Sequence, residues 1–225
     1  NILTTRFGLI QACETDVITI PEGLLGFHSF IHYVLLPDPV VMGLSWLQSL
    51  TAPELAFGLI ATPAANLLPD AAPGQVYEQS AAQAALGAEL GARVAADGGA
   101  ALLIDYGRAE PGFGDTLQAL RRHRKVDPLA SPGGADLTVH ADFPAVMAAA
   151  QAQGADAAIL TQAAFLARMG IGERAEALVR AAPARSGVIG RQLNRLVGAD
   201  EMGELFKVCA IHSPDWTPPA FEDAA

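Results

Sequence analysis

The sequence predicts an α/β protein, a doubly wound and mostly parallel sheet preceded by a short antiparallel β segment. Three observations predict it. The first sixty residues alternate in a β manner between Pro/Gly turns and leave no room for crossover helices. After residue 63 the chain turns Ala-rich with helical periodicity. The near-continuous apolar run Ala100-Ala101-Leu102-Leu103-Ile104 then follows a helix, as a parallel strand covered on both faces requires.

Taken in order, Asp16 to Ile20 is a short strand ended by Pro21, and Glu22-Gly23 with Gly26 marks turns. Tyr33 to Leu36 is a second strand, stopped by Pro37-Asp38-Pro39. Trp46 to Leu50 alternates again, and Leu55 to Ile60 completes the antiparallel set. Ser80-Ala81-Ala82-Gln83 is a capping-box sequence that opens a helix running to about Ala96. Asp97-Gly98-Gly99 ends it, and the strand Ala100 to Gly107 follows. A second helix takes Asp142 as N-cap and Pro144 in its first turn, and stops at Gly154. Ala157 to Leu160 is a strand. Helices cover Gln162 to Met169, Glu173 to Arg180 and Ser186 to Leu196, and Leu205 to Ile211 forms a late strand before a Pro-containing tail.

With 51% hydrophobic and 17% charged residues, the chain is apolar enough to bury a sizeable core. No uninterrupted apolar run approaches the ~20 residues of a membrane span, and Asn1 to Arg6 lacks the apolar stretch of a signal peptide. The expectation is a soluble, cytoplasmic protein. A net charge of −10 argues against general nucleic-acid binding, which needs a basic face. Arg121-Arg122-His123-Arg124-Lys125 is the local exception. It reads either as a solvated helix end complementing the dipole or as a seat for an acidic partner or phosphate. Cys13 and Cys209 have no metal or disulfide spacing and read as inert thiols. His28 and His32 would share a helix face, yet no third ligand is evident, so no metal site is expected. Ser29, Ser45 and Ser186 sit in nothing like a nucleophile elbow, and His140 and His212 carry no distinguishing context.

Four ordered blocks in the first 57 residues are Thr4 to Gly8, Ile20-Pro21-Glu22-Gly23-Leu24-Leu25-Gly26-Phe27, Tyr33 to Asp38 and Trp46-Leu47-Gln48-Ser49. They closely resemble the start of the flagellar assembly factor FliW. The resemblance implies an incomplete β-barrel-like segment over residues 1–57, from a non-enzymatic family that binds flagellin and the translational regulator CsrA.

A second set of blocks runs through Leu68-Pro69-Asp70, Ala101 to Gly107, Gly112 to His123, Asp127-Pro128-Leu129, Gly134 to Thr138, Asp142-Phe143 and Met202 to Lys207. These resemble the C-terminal half of the MidA family of class I S-adenosylmethionine-dependent methyltransferases, whose mitochondrial relatives assist complex I assembly and methylate a protein arginine. The resemblance implies a partial class I methyltransferase-like sheet over residues 58–225, S-adenosylmethionine as cofactor and a protein substrate. The two matches meet at Leu55-Ala56-Phe57.

Such a fold holds its cofactor at a Gly-rich strand-to-helix turn, with an acidic residue some 20 positions on for the ribose. In the resembled family that turn lies in the half not matched here. Gly112-Phe113-Gly114 follows a strand after Pro111 and a five-residue gap, and Gly170-Ile171-Gly172 follows a helix, so the cofactor-binding residues are unassigned. On the substrate side, Asp105 and Tyr106 end a strand where α/β sheets place ligands, and His123 is available for proton transfer. Arg122, Asp136, Thr138 and Asp142 could orient a polypeptide. Strand-end, turn and N-cap chemistry accounts for the same residues structurally. A barrel without later strands and a sheet without first strands would expose unpaired edges. Addition of the N-terminal strands to the sheet, or oligomerisation, would close them.

Overall fold

The computed structural model describes residues 31–34, 41–43, 58–60 and 69–222, apart from 71, 73, 131 and 132. The expected strands over Asp16–Ile20 and Trp46–Leu50, residues Leu35 and Leu36, the junction Leu55–Phe57, and Cys13 and His28 lie outside the described residues. The chain forms two compact units. One comprises residues 1–82 with 113–115, and the other residues 83–112 with 116–225.

In the first unit, β1 (Ile31–Val34) pairs antiparallel not with its sequence neighbours but with β4 (Val76–Gln79), from Ile31 opposite Gln79 to Val34 opposite Val76. A separate pair joins β2 (Val41–Gly43) to β3 (Gly58–Ile60). His32 therefore lies in a strand, not on a helix face. The Gly114 amide donates to the Val76 carbonyl at 2.8 Å, and Phe113 packs edge-on to Tyr77 at 5.6 Å.

The second unit is built on a four-stranded sheet backed by two helices. Ser80 directly precedes α1 (Ala81–Asp97), as the capping-box sequence requires, and the amide of Asp142 donates to Gln83 Oε1 at 2.7 Å. Glycines at four-residue spacing share a helix face. Gly87 and Gly91 turn that face onto the backbone of α2 (Phe143–Gln151), where a Cβ on Gly91 would lie 2.6 Å from the Cα of Ala150. Asp142 caps α2, accepting from the Ala145 amide at 3.4 Å, with Pro in the first turn.

Strand β5 (Ala100–Arg108) pairs parallel with β9 (Ala141–Asp142) but antiparallel with β11 (Phe206–His212), which pairs antiparallel with β10 (Asp156–Thr161). The order is β10-β11-β5-β9. This corrects the expected parallel sheet. β10 and β5 run the same way, and β11 enters between them in the reverse sense after the helices α3 (Gln162–Arg168), α4 (Ile171–Ala181), α5 (Ser186–Val197) and α6 (Met202–Leu205). An apolar run specifies burial, not direction, so the reversal left no mark in the sequence.

Among the described residues, β5 is covered on one face only. Leu103 packs against the cluster of Val94, Phe143, Val146, Ala150, Cys209 and Ile211, while Leu102 and Ile104 on the other face are 50% and 56% exposed. β11 is buried from Val208 to His212, and its Val208 and Ala210 pack with Phe221 and with Leu160 and Phe165. Among the described residues no helix is long and apolar enough to cross a membrane.

A three-stranded sheet with order β7-β6-β8 completes the unit. It comprises β6 (Gln118–Arg121), β7 (Arg124–Val126) and β8 (Asp136–Thr138). The basic cluster is therefore no helix end. Arg122 and His123 form the two-residue turn of the β6–β7 hairpin, with φ of 51° and 63°. Tight hairpin turns demand positive φ at both central positions, and neither residue is the Asn or Gly that signals such a turn. That is why the helical reading was available from sequence.

Candidate functional site

The C-terminal end of β5 brings together side chains from four strands and loops. Tyr106 projects on the face of Phe206, its cross-strand partner, and the two rings meet edge-on at 5.5 Å. On another side the ring of His140 meets Tyr106 at 5.9 Å, with 72° between planes. His140 is held from behind, its backbone N–H donating to Thr116 Oγ1 at 3.0 Å. Such edge-to-face pairs fix a ring beyond what apolar burial alone provides.

Thr138 faces the same phenol. Its hydroxyl favours the ionised form of Tyr106, yet the approach falls short of full hydrogen-bond geometry, and Thr138 Oγ1 is buried without a partner among the described residues. The tyrosine pKa is raised above its ordinary value chiefly by burial, with the neighbouring Asp105 charge acting in the same direction and Thr138 opposing both. At neutral pH Tyr106 is a neutral phenol able to donate one hydrogen bond.

Asp105 lies on the opposite face of β5, as successive strand residues must. Its Oδ1 accepts from the Tyr106 amide at 2.8 Å. Lys207 stands directly opposite Asp105 in the ladder. The Lys207 ammonium donates to the Glu204 carbonyl, with the Leu205 carbonyl at 3.5 Å. Burial lowers the pKa of Lys207, and the Glu204 carboxylate partly restores it.

Of the residues singled out from sequence, Tyr106 and Thr138 meet here, and Asp105 stands at the same strand end on the other face. Asp142 is the α2 cap at the end of β9, the strand paired with Gly107 and Arg108. Arg122 and Asp136 line a shallow depression with Leu120, Arg121, Gly133, Gly134 and Ala135. His123 is exposed at the hairpin tip, and the imidazole packed against Tyr106 belongs to His140. Sequence reasoning missed His140 and Lys207. Neither carries a local signal, since only long-range contacts bring His140 to Tyr106 and Lys207 opposite Asp105.

Among the described residues, neither glycine pair noted from the sequence forms a strand-to-helix turn. Gly112 lies in an irregular segment leading to a strand, and Gly170, with φ of 81°, joins α3 to α4. The strand-to-helix turns β9→α2 and β10→α3 carry no glycine, and Asp142 and Thr161 already cap those helix N-termini. Among the described residues no cluster of His, Cys, Asp or Glu could hold a metal ion.

A family model described as a putative S-adenosyl-L-methionine-dependent methyltransferase matches residues 47–161, just over half of the chain. The chain belongs to that methyltransferase family. A second model, the FliW protein, matches residues 1–72. The mitochondrial protein arginine methyltransferase NDUFAF7 of Rattus norvegicus is 32% identical over 155 residues, covering 60% of this chain and 35% of the relative. The flagellar assembly factor FliW of Geobacter sulfurreducens is 47% identical over 62 residues, covering 28% of this chain and 38% of the relative. A Burkholderia thailandensis structure assigned to the methyl transferases, solved with S-adenosyl-homocysteine bound, superposes with a TM-score of 0.70 at 28% identity, over 86% of this chain and 53% of that one. This methyltransferase-like chain thus spans about a third of the curated methyltransferase and half of the solved structure.

Proposed function

We propose that this chain supplies the substrate side of a protein-arginine methyltransferase fold in the cytoplasm, holding a polypeptide at the end of β5 without itself cradling the methyl donor. The observation that carries this reading is the Tyr106 constellation. A neutral phenol packed by His140 and Phe206 sits at a strand end beside the unpartnered Thr138 hydroxyl, and the Asp105 carboxylate, on the other face of the same strand end, lies near enough for its charge to act on the phenol. A carboxylate can take an arginine guanidinium in a two-point hydrogen bond, and an aromatic face attracts its charge. The net charge of −10 favours a basic substrate. Thr138 and Asp142 orient the bound chain, and Arg122, His123 and Asp136 contact it further along.

The test is anisotropy of a fluorescein-labelled Gly-Arg repeat peptide, with the Gly-citrulline repeat as control, alongside calorimetric titration with S-adenosylmethionine. Binding of the arginine peptide alone, weakened by about tenfold in Asp105→Asn as expected for loss of one charge-assisted pair, is the expected result. Equal binding of both peptides would remove the substrate reading, and stoichiometric binding of the methyl donor would overturn the exclusion of the cofactor.

The FliW match over residues 1–72 favours a second reading, a binding module for flagellin or CsrA. Retention of neither protein on the immobilised chain would eliminate it.

A further inference from the structure

The β6–β7 hairpin is chemically unlike the rest of the molecule. Four of the chain's 14 Lys and Arg residues, Arg121, Arg122, Arg124 and Lys125, stand within five positions, and no carboxylate occurs from Thr116 to Val126. All four are exposed, as is His123. The turn takes positive φ at Arg122 and His123, where L residues other than Asn and Asp are disfavoured, so the tip carries charge at positions where turn chemistry alone would select Asn-Gly. Arg121 and Arg122 also line the depression shared with Leu120, Gly133, Gly134 and Asp136.

The ladder relates this tip to Tyr106. Gln118 stands opposite Thr138, whose hydroxyl faces the Tyr106 phenol. Arg122 lies four positions beyond Gln118 on the same hairpin, ~13 Å away at about 3.3 Å per strand residue. An extended polypeptide covers that span with about four residues.

We propose that the hairpin recognises an acidic stretch of the polypeptide held at Tyr106, about four residues from the arginine. This rests on the substrate reading above and adds its specificity determinant. The guanidinium groups of Arg121 and Arg122 take carboxylates on the depression side, and Arg124 and Lys125 extend the field along β7. Asp136 repels a carboxylate on its own side of the depression and so restricts where along the peptide the acidic stretch can lie. The remainder of the chain is strongly acidic, so a long polyanion such as RNA is repelled beyond the hairpin whereas a short acidic segment is not.

Three labelled peptides test this by anisotropy at low and high salt. One carries arginine alone, one hexaglutamate alone, and one an arginine followed after four residues by a glutamate block. A thymidylate oligonucleotide is the nucleic-acid probe. The composite peptide is expected to bind about tenfold tighter than the arginine peptide, with the gain lost at high salt, because several weak exposed pairs multiply and are screened. The gain should also vanish in Arg124→Gln/Lys125→Gln and in Arg122→Asn/His123→Gly, the latter supplying the residues the turn prefers and so keeping the hairpin folded. Equal affinity of composite and arginine peptides overturns the inference and leaves the substrate reading standing. Failure of the arginine peptide with retention of hexaglutamate overturns the substrate reading and with it the four-residue spacing, leaving only acidic recognition by the hairpin. Tighter binding of the oligonucleotide than of either glutamate peptide also overturns the inference.

Discussion

The contact between α1 and α2 gives a sharp stability prediction, because two opposing effects act on the same substitution. Replacing Gly91 by alanine in the middle of a helix ordinarily stabilises by about 1 kcal/mol through backbone propensity. Here the added methyl would sit 2.6 Å from both the Cα and the carbonyl oxygen of Ala150, which is fully buried in the core. Those atoms are backbone and cannot rotate aside, so α1 and α2 must separate by about 0.8 Å to restore ordinary contact at 3.4 Å. Overpacking of this kind costs roughly 1–3 kcal/mol, and an immovable neighbour places it at the upper end. The net effect is a loss of about 2 kcal/mol, or ~4–8 °C in melting temperature for a chain of this size. Gly190→Ala in α5 is the matched control, since a Cβ there meets nothing within 4 Å. It should gain up to ~1 kcal/mol. Circular dichroism melts of the two variants check the reasoning, and a rise in both would refute the close helix approach.

Arg122→Asn/His123→Gly should raise stability by about 1 kcal/mol in urea denaturation, because the replacements tolerate the positive φ of both positions. The raised pKa of Tyr106 means that the unfolded phenol ionises first. The stabilisation is full below about pH 10 and is lost as pH rises from there through the folded pKa, and Tyr106→Phe should flatten this alkaline fall in stability. Burial pushes the Cys209 thiol up to about 12, so in a Cys13→Ser background a thiol reagent at pH 8 should label the protein only after denaturation. Labelling of the folded chain would contradict the buried position. Asp142→Ala should cost ~1 kcal/mol by removing the α2 cap, with Asp142→Asn retaining most of it.

From Ser80 onward the helices of seven residues or more were legible to within a few residues, because Ala-rich periodicity is bracketed by stops, whereas the single turn of α6 was not. The helix expected over Gln162 to Met169 is Gln162–Arg168, and Ser186 to Leu196 is Ser186–Val197. Of the strands from Val76 onward, the long apolar ones β5, β10 and β11 were legible, but not their partners, and the short strands β4, β6, β7, β8 and β9 were not, because two to four residues carry too little alternation to mark a strand. The residues of β5 look alike whether β11 runs parallel or antiparallel beside them, and the exposure of Leu102 and Ile104 depends on what covers that face. The hairpin was missed because its turn lacks Gly and Asn, so five basic residues suggested a helix terminus instead. Within the candidate site, Asp105 and Tyr106 were readable from their place at a strand end, and Thr138 from the block that contains it. His140 was not. It lies two positions from Thr138 in sequence, and only the return of that segment alongside β5 turns its ring to Tyr106.

The two family matches overlap over residues 47–72, and the structure gives that overlap a physical meaning. β1 lies inside the stretch matched by the FliW model alone, whereas β4 lies beyond that match and inside the methyltransferase match. Yet the two form one antiparallel ladder. An unpaired strand edge is a liability for any chain that carries it, and two truncated sheets joined end to end would bring several such edges. Here an edge contributed by one segment is satisfied by backbone from the other, within a unit that reaches to Ala82 and takes back residues 113–115. The boundary drawn from sequence at Phe57 is a boundary of resemblance. Hydrogen bonding does not respect it, and a segment that lends a strand across it acts as part of the fold that receives the strand.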